Sequence, residues 1–205
     1  MSDVLDDIAD LYSASLAEHG AKAKGVGWGD ESSHKVRFDR LLRCMDEGAP
    51  AHPTFNDLGC GYGALYAYLV EHGVTPGGYR GHDISEAMLG EARKRVTASE
   101  AVFVATPVLD KPADYSIASG IFNVRFERTD EEWMAVILET LRNMNAFSVR
   151  GFSFNLLTTY VDYRRDHLYY GDPCFFFDYC KREFSKRVAL HHDTQLFEWT
   201  VTVLK

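Results

Sequence analysis

The sequence predicts an α/β fold built on a mostly parallel sheet of seven strands, sandwiched between helices in three layers. From Thr54 onward, short apolar runs alternate with helical patterns, as expected of strands joined by crossover helices. The first run ends among three glycines, at 59, 61 and 63, and passes directly into a helical pattern. The last two runs have no helix between them, so they should pair antiparallel. Residues 1–50 are helical in pattern and read as an N-terminal cap on a core of residues 54–205, the whole forming one domain.

In the cap, Val4, Leu5, Ile8, Leu11, Tyr12, Ser15 and Leu16 follow helical spacing, with Ser2 or Asp3 to start the helix and Gly20 to stop it. "GVGWGDESS" (25–33) reads as a loop. A second helix starts at Ser32 or Ser33, carries Val36, Leu41, Leu42 and Met45, and ends near Gly48. Pro50 and Pro53 then punctuate the chain. Strands are predicted at 54–60, 78–84, 101–105, 115–122, 147–157, 187–191 and 196–204. A helix at 63–72 buries Leu65, Tyr68 and Leu69. Ser85 caps a second, with Met88, Leu89, Ala92 and Val96 on one face. Thr129 or Asp130 caps a long helix whose apolar stripe is Trp133, Met134, Ile137, Leu138, Leu141 and Met144. Asp172-Pro173 combines a capping acid with proline at the first helical position.

Composition removes several classes. No apolar run approaches the roughly 20 residues that span a bilayer, so no membrane association is expected. The acidic opening "MSDVLDDIAD" lacks the basic region of a secretory signal. The four cysteines show no CxxC spacing, which suits reduced thiols in a cytoplasmic protein and no metal site. A net charge of −8 argues against non-specific nucleic-acid binding. Nothing in the sequence speaks to oligomeric state.

"TFNDLGCGYGALYAYL" (54–69) carries the chemistry. Glycines in a strand-to-helix turn allow left-handed backbone and the close approach of a ligand. The helix N-terminus adds unpaired N–H groups and the positive end of its dipole. Gly59, Gly61 and Ala64 satisfy the dinucleotide pattern GxGxxG/A, so a nicotinamide or flavin nucleotide is one reading; a purely structural turn is another.

"DLGCGYG" (57–63) followed by "GHDIS" (81–85) resembles the first two motifs of the class I S-adenosylmethionine-dependent methyltransferases, whose fold is Rossmann-like. The resemblance covers most of the chain, helical preface and terminal antiparallel pair included. It implies S-adenosyl-L-methionine as cofactor, with Asp57 on the methionine ammonium and Asp83 on the ribose hydroxyls, beside Gly59, Cys60, Gly61 and Ile84. Physics favours this over a dinucleotide. An acid beside the turn suits an ammonium and repels a pyrophosphate. The sheet also uses most of the residues after Asp83, leaving no domain for hydride chemistry. The resemblance further implies an acid or small polar residue near the adenine, for which Thr106 and, less well, Asp110 are the candidates, and Ser119, Gly120 and Asn123 along the channel from cofactor to acceptor. Tyr12, Trp28 and Arg37 are candidates to close the cap over the pocket, Arg37 by pairing with the methionine carboxylate; a packing tryptophan and a solvated arginine are the plain alternatives.

The loop "TTYVDYRRDHLYYGD" (158–172) lies at the ligand-binding edge and is long for a connection. Its tyrosines, Tyr160 among them, and its arginines suit a compact polar acceptor, anionic ones included. A solvated loop packing its own rings is the alternative. In "LHHDTQ" (190–195), His192 is a candidate base at the same rim. The expected reaction is methyl transfer to an oxygen or nitrogen of a small polar metabolite. An RNA or protein methyltransferase, or a non-catalytic S-adenosylmethionine-binding module, are the competing readings.

Overall fold

The computed structural model describes residues 2–20 and 31–205. Helix α1 (Ser2–His19) and helix α2 (Glu31–Leu41) form the cap, and a 3-10 turn (Leu42–Cys44) leads out of it. There follow β1 (Thr54–Leu58), α3 (Ala64–Glu71), β2 (Gly78–Asp83), α4 (Glu86–Arg95), β3 (Ala101–Ala105) and β4 (Ala113–Ala118). Then come α5 (Asp130–Phe147), β5 (Ser148–Leu157), α6 (Pro173–Glu183), β6 (Arg187–His191) and β7 (Glu198–Leu204). The seven strands lie in the order β3-β2-β1-β4-β5-β7-β6. All pairings are parallel except those of β7, which runs antiparallel to β5 and to β6.

Strand side chains alternate between two faces, and so does the core. Phe55, Tyr115 and Ile117 join Leu41, Leu65, Leu69 and Leu89 on one face. Leu58, Phe152, Phe154 and Val201 join Trp133, Ile137, Leu141 and Phe176 on the other. Helices start where local chemistry supplies acceptors for their orphan N–H groups. Ser85 accepts from Met88 N (3.2 Å), Asp172 from Cys174 N (2.8 Å), and Thr129 with Glu132 forms a capping box.

Several boundaries differ from the sequence expectation; β4 begins earlier, at Ala113, and β7 later, at Glu198. β1 ends at Leu58 and β4 at Ala118, not at 60 and 122, because Gly59 (φ 74°) directly after the first strand and Gly120 (φ 73°) two residues after the second turn the backbone left-handed. Helix α2 stops at Leu41 and tightens into the 3-10 turn, so the apolar pattern to Gly48 overstates it. The β3–β4 crossover is unusual. Parallel strands are normally joined by a dozen residues or more, with a helix. Here residues 106–112 suffice, without one. Leu109 is buried against the sheet, its N–H and C=O both bonded to the Asn143 amide on α5 (2.9 and 3.2 Å). Arg80 holds Asp110 through two bonds (2.7 and 2.8 Å), and Asn56 holds the Lys111 carbonyl (2.8 Å). Side-chain bonds from β1, β2 and α5 thus do the work that a crossover helix would do by packing.

Candidate active site

The glycine turn opens a cavity of about 280 Å³ at the carboxyl ends of β1, β2 and β4. Gly59, Gly61 and Gly63 all have positive φ (74°, 52° and 82°), which only glycine adopts without strain. The Gly59 and Cys60 N–H groups bond the His82 carbonyl (2.7 and 3.0 Å), locking the turn to β2. A Cβ on Gly59 would sit 2.1 Å from Ile121 Cγ2, so this glycine also lets the loop after β4 close against the turn. Helix α3 then begins behind Gly63 with no side-chain cap, leaving its first N–H groups for a guest.

Two carboxylates face this cavity from the sheet, Asp57 from β1 and Asp83 from β2, and a third, the exposed Glu139 on α5, stands at its wall. Asp57 is buried and accepts a hydrogen bond from the Tyr79 hydroxyl. Burial pushes its pKa up to about 7 against the pull of that bond, and the Asp83 charge pushes the same way. Asp83 accepts from the N–H groups of Gly61 (2.8 Å) and Ser85 (2.9 Å). Burial raises its pKa as well, opposed by these backbone donors. Among the described residues, no cation acts on either acid. A buried and a half-buried acid sharing one void, with no counter-charge among the described residues, favour a cationic guest and disfavour a diphosphate.

Other walls come from the cap, the β4 rim and α5. Ser13 on α1 meets Ser85 (Oγ–Oγ 2.9 Å), which sets Tyr12 over the cavity. Burial, then the Asp83 charge, push the Tyr12 phenol up to about 12. Ser119 Oγ is buried at the cavity wall with no hydrogen-bond partner. Cys60, Ile84, Thr106 and Gly120 line the same space. Sequence reasoning missed His34 and Phe38 on α2 and Val136, Thr140 and Asn143 on α5. Burial, then the nearby Arg37 charge, push the His34 pKa down to about 4, so its imidazole is neutral at pH 7. The α5 residues show a second stripe at spacings of three and four beside the core stripe, a signal visible in the sequence once the short crossover is known.

Several expected residues stand elsewhere. Arg37 is buried but does not line the cavity among the described residues; its guanidinium pairs with Glu198 on β7 and donates to Ser33 Oγ (3.0 Å). Low dielectric makes that ion pair the better destination than a pocket position. Asn123 is buried, but its Oδ1 accepts from Leu157 N (3.2 Å) and its carbonyl from Tyr169 N (2.9 Å), so it ties the β4 loop to the end of β5 instead of lining the channel. Tyr160 and His192 stand outside the cavity, both exposed, with ring centroids 5.8 Å apart. His191 also lies outside it, within 3.1 Å of Arg43. In the long loop Tyr169 packs into the core, while Tyr160 and Tyr163 are exposed at 66% and 70%. Trp28 lies outside the described residues. No group of acids, histidines and cysteines among the described residues forms a metal site.

Fold and site together define a nucleoside-binding α/β enzyme of the methyl-transfer type, and comparison with known proteins agrees. Residues 56–145 match a family model described as a methyltransferase domain. A putative methyltransferase of Mycobacterium tuberculosis, Rv1506c, is 52% identical over 155 residues, which cover 74% of this chain and 93% of that one. Among solved structures, magnesium protoporphyrin IX methyltransferase from Synechocystis PCC 6803 with bound S-adenosylmethionine superposes with a TM-score of 0.69 at 17% identity, covering 98% of this chain and 96% of that one. A Leishmania major S-adenosylmethionine-dependent methyltransferase gives 0.67 at 13% identity, covering 98% and 82%. The chain belongs to the class I S-adenosylmethionine-dependent methyltransferases.

Proposed function

We propose that this enzyme transfers a methyl group from S-adenosylmethionine to an oxygen or nitrogen of a small polar acceptor in the cytoplasm. The carrying observation is the pair of carboxylates, the buried Asp57 and the half-buried Asp83, facing one cavity beside a glycine turn with no cation acting on them among the described residues. The residues fit the cofactor. Asp57 meets the ammonium, Asp83 the ribose hydroxyls, and the partnerless Ser119 hydroxyl offers a polar contact at the β4 rim. Gly59, Cys60, Gly61 and Ile84 shape the floor; Thr106 and Tyr12 flank it.

When bound, the cofactor supplies an electrophilic methyl on a sulfonium, displaced in line by the acceptor with release of S-adenosylhomocysteine. The chain's own contribution is positioning, which can supply up to about 7–11 kcal/mol in favourable cases. Tyr12 and Phe38 help keep water out. The histidine in this cavity, His34, is a weak base with its pKa near 4, so proton removal from the acceptor rests on the exposed Glu139 carboxylate at the cavity wall, on solvent or on the acceptor's own acidity. A neutral amine would need no base before attack. The chain's net charge of −8 weighs against RNA.

Calorimetry with S-adenosylmethionine and with NAD tests the site. The first should bind and the second should not. Asp83→Ala should weaken cofactor binding by about 1.5–3 kcal/mol, the worth of a hydrogen bond to a charged group. Unchanged affinity in that variant removes Asp83 from the site. Turnover against a panel of hydroxyl and amine metabolites then identifies the acceptor class; binding without turnover on any of them favours a non-catalytic module.

A further inference from the structure

The Ser119–Gly120 peptide at the rim of the cavity is held by a buried chain of polar groups that ends in the cap. Gly120 N–H donates to Asn155 Oδ1 on β5 (2.7 Å). The same amide's Nδ2 donates to Glu198 Oε2 on β7 (2.6 Å). The other oxygen of Glu198 receives Arg37 from α2. Asn155, Glu198 and Arg37 are 1%, 5% and 8% exposed, so the chain runs out of reach of water.

Its polarity is unambiguous. A backbone N–H can only donate, which sets the Asn155 amide with its oxygen toward Gly120. Its NH₂ must then find an acceptor, and an ionised Glu198 is acceptor-only. Arginine is donor-only and closes the series. Each link dictates the next.

The first link has a consequence at the cavity. The peptide is trans and planar, so the Ser119 carbonyl points opposite to the Gly120 N–H. That N–H points at β5, and β4 lies between β5 and β1. The carbonyl therefore faces the β1 side, where the glycine turn and Asp57 stand. A carbonyl so aimed accepts N–H from a cationic amino group.

We infer that Asn155, Glu198 and Arg37 are positioning residues that orient the Ser119–Gly120 peptide for the amino end of the cofactor and couple that peptide to the α2 cap. This deepens the function proposed above and rests on it. None of the three side chains lines the cavity, so any effect they exert on cofactor affinity passes through the peptide or the cap.

Swapping the acid and the amide supplies the test. Glu198→Gln keeps shape but introduces a second NH₂, so two donors must face each other at one link. Asn155→Asp instead places two carboxylates together. The double variant restores a donor for every acceptor, with the charge moved from position 198 to 155. Each single variant should weaken S-adenosylmethionine binding about tenfold, a 1.4 kcal/mol change, and the double should return to within about threefold of wild type. A chain that only held the fold would lower the thermal unfolding midpoint and leave the Kd of the folded protein alone. Wild-type Kd in folded single variants, or a double variant no better than the singles, overturns the inference. If a single variant does not fold, Arg37→Lys and the double variant decide. Weaker binding by the first with recovery in the second supports the inference; wild-type affinity in Arg37→Lys overturns it. Failure of the wild-type protein to bind S-adenosylmethionine would instead sink the cofactor reading itself.

Discussion

Asp57 illustrates how one buried side chain sets both a cost and a use. With its pKa near 7, it is about half protonated in the empty protein at neutral pH. A bound ammonium needs the ionised form, so binding pulls a proton off and affinity follows the ionised fraction. The pKa is raised in the free protein and lower in the complex. Affinity should therefore tighten about fivefold from pH 6 to a maximum between pH 7 and pH 8, with proton release on this limb, and fall again above as the ligand's α-amino group, with its pKa of about 7.7–8.0, loses its proton. Calorimetry in buffers of different ionisation enthalpy measures both. Asp57→Asn should abolish the rise in affinity between pH 6 and pH 7 and weaken binding, while raising the thermal midpoint of the empty protein at pH 8 by removing an uncompensated buried charge. A variant that keeps the pH profile would assign the titration to another group.

At the scale of elements, the short β3–β4 crossover stands out. Residues 106–112 hold their place through Asn143, which satisfies both backbone groups of the buried Leu109. Asn143→Ala leaves that N–H and that C=O without protein partners. It should cost about 1–3 kcal/mol per group left buried and unbonded, and less where water enters. Because Thr106 at the start of this segment and Asn143 itself line the cavity, cofactor affinity should fall along with stability. Urea unfolding and a binding isotherm on the same variant check the two effects; unchanged stability would mean the crossover is held by Arg80–Asp110 and Asn56 alone. The cap is attached differently. Arg37 meets Glu198, Arg40 meets Asp193 (2.8 Å) and Arg43 meets His191 (3.1 Å), so three arginines three residues apart fasten α2 and the following turn to the β6–β7 hairpin.

For the molecule as a whole, pH also acts through buried histidine. His82 is fully buried, its Nδ1 without a partner, and its Nε2 3.5 Å from Asn56 Oδ1. Burial lowers its pKa to about 4, with Arg80 lowering and Asp110 raising it. The unfolded chain takes up this proton near pH 6.5 and the folded chain only near pH 4. Its contribution is thus present above 6.5 and lost as pH falls toward 4. His34 acts in the same sense and Asp57 in the opposite one, so the comparison must be within one position. His82→Val should lose less global stability than wild type between pH 7.5 and pH 5, read from urea midpoints; parallel losses would show that His82 does not titrate in that window.

Much of this was legible in the chain. Turn and cap chemistry is local, so Gly59, Gly61, Ser85, Thr129 and Asp172-Pro173 announced their elements, and the strand–helix alternation announced the sheet. Asp57 and Asp83 were legible because a parallel sheet brings the ends of neighbouring strands together by rule. Arg37, Asn123, Tyr160 and His192 were misplaced because a side chain's destination depends on partners far away in sequence. Glu198 lies 161 residues beyond Arg37, and Leu157 34 beyond Asn123. By itself the sequence determined the class of fold, the turn and the two acids that face it, since each rests on interactions within a few residues or on the invariant handedness of crossovers. Only the tertiary structure decided which cap residues reach the cavity, how α5 became one of its walls, and that Arg37 spends its charge on Glu198, because burial and pairing energies exist only once the surrounding elements have closed.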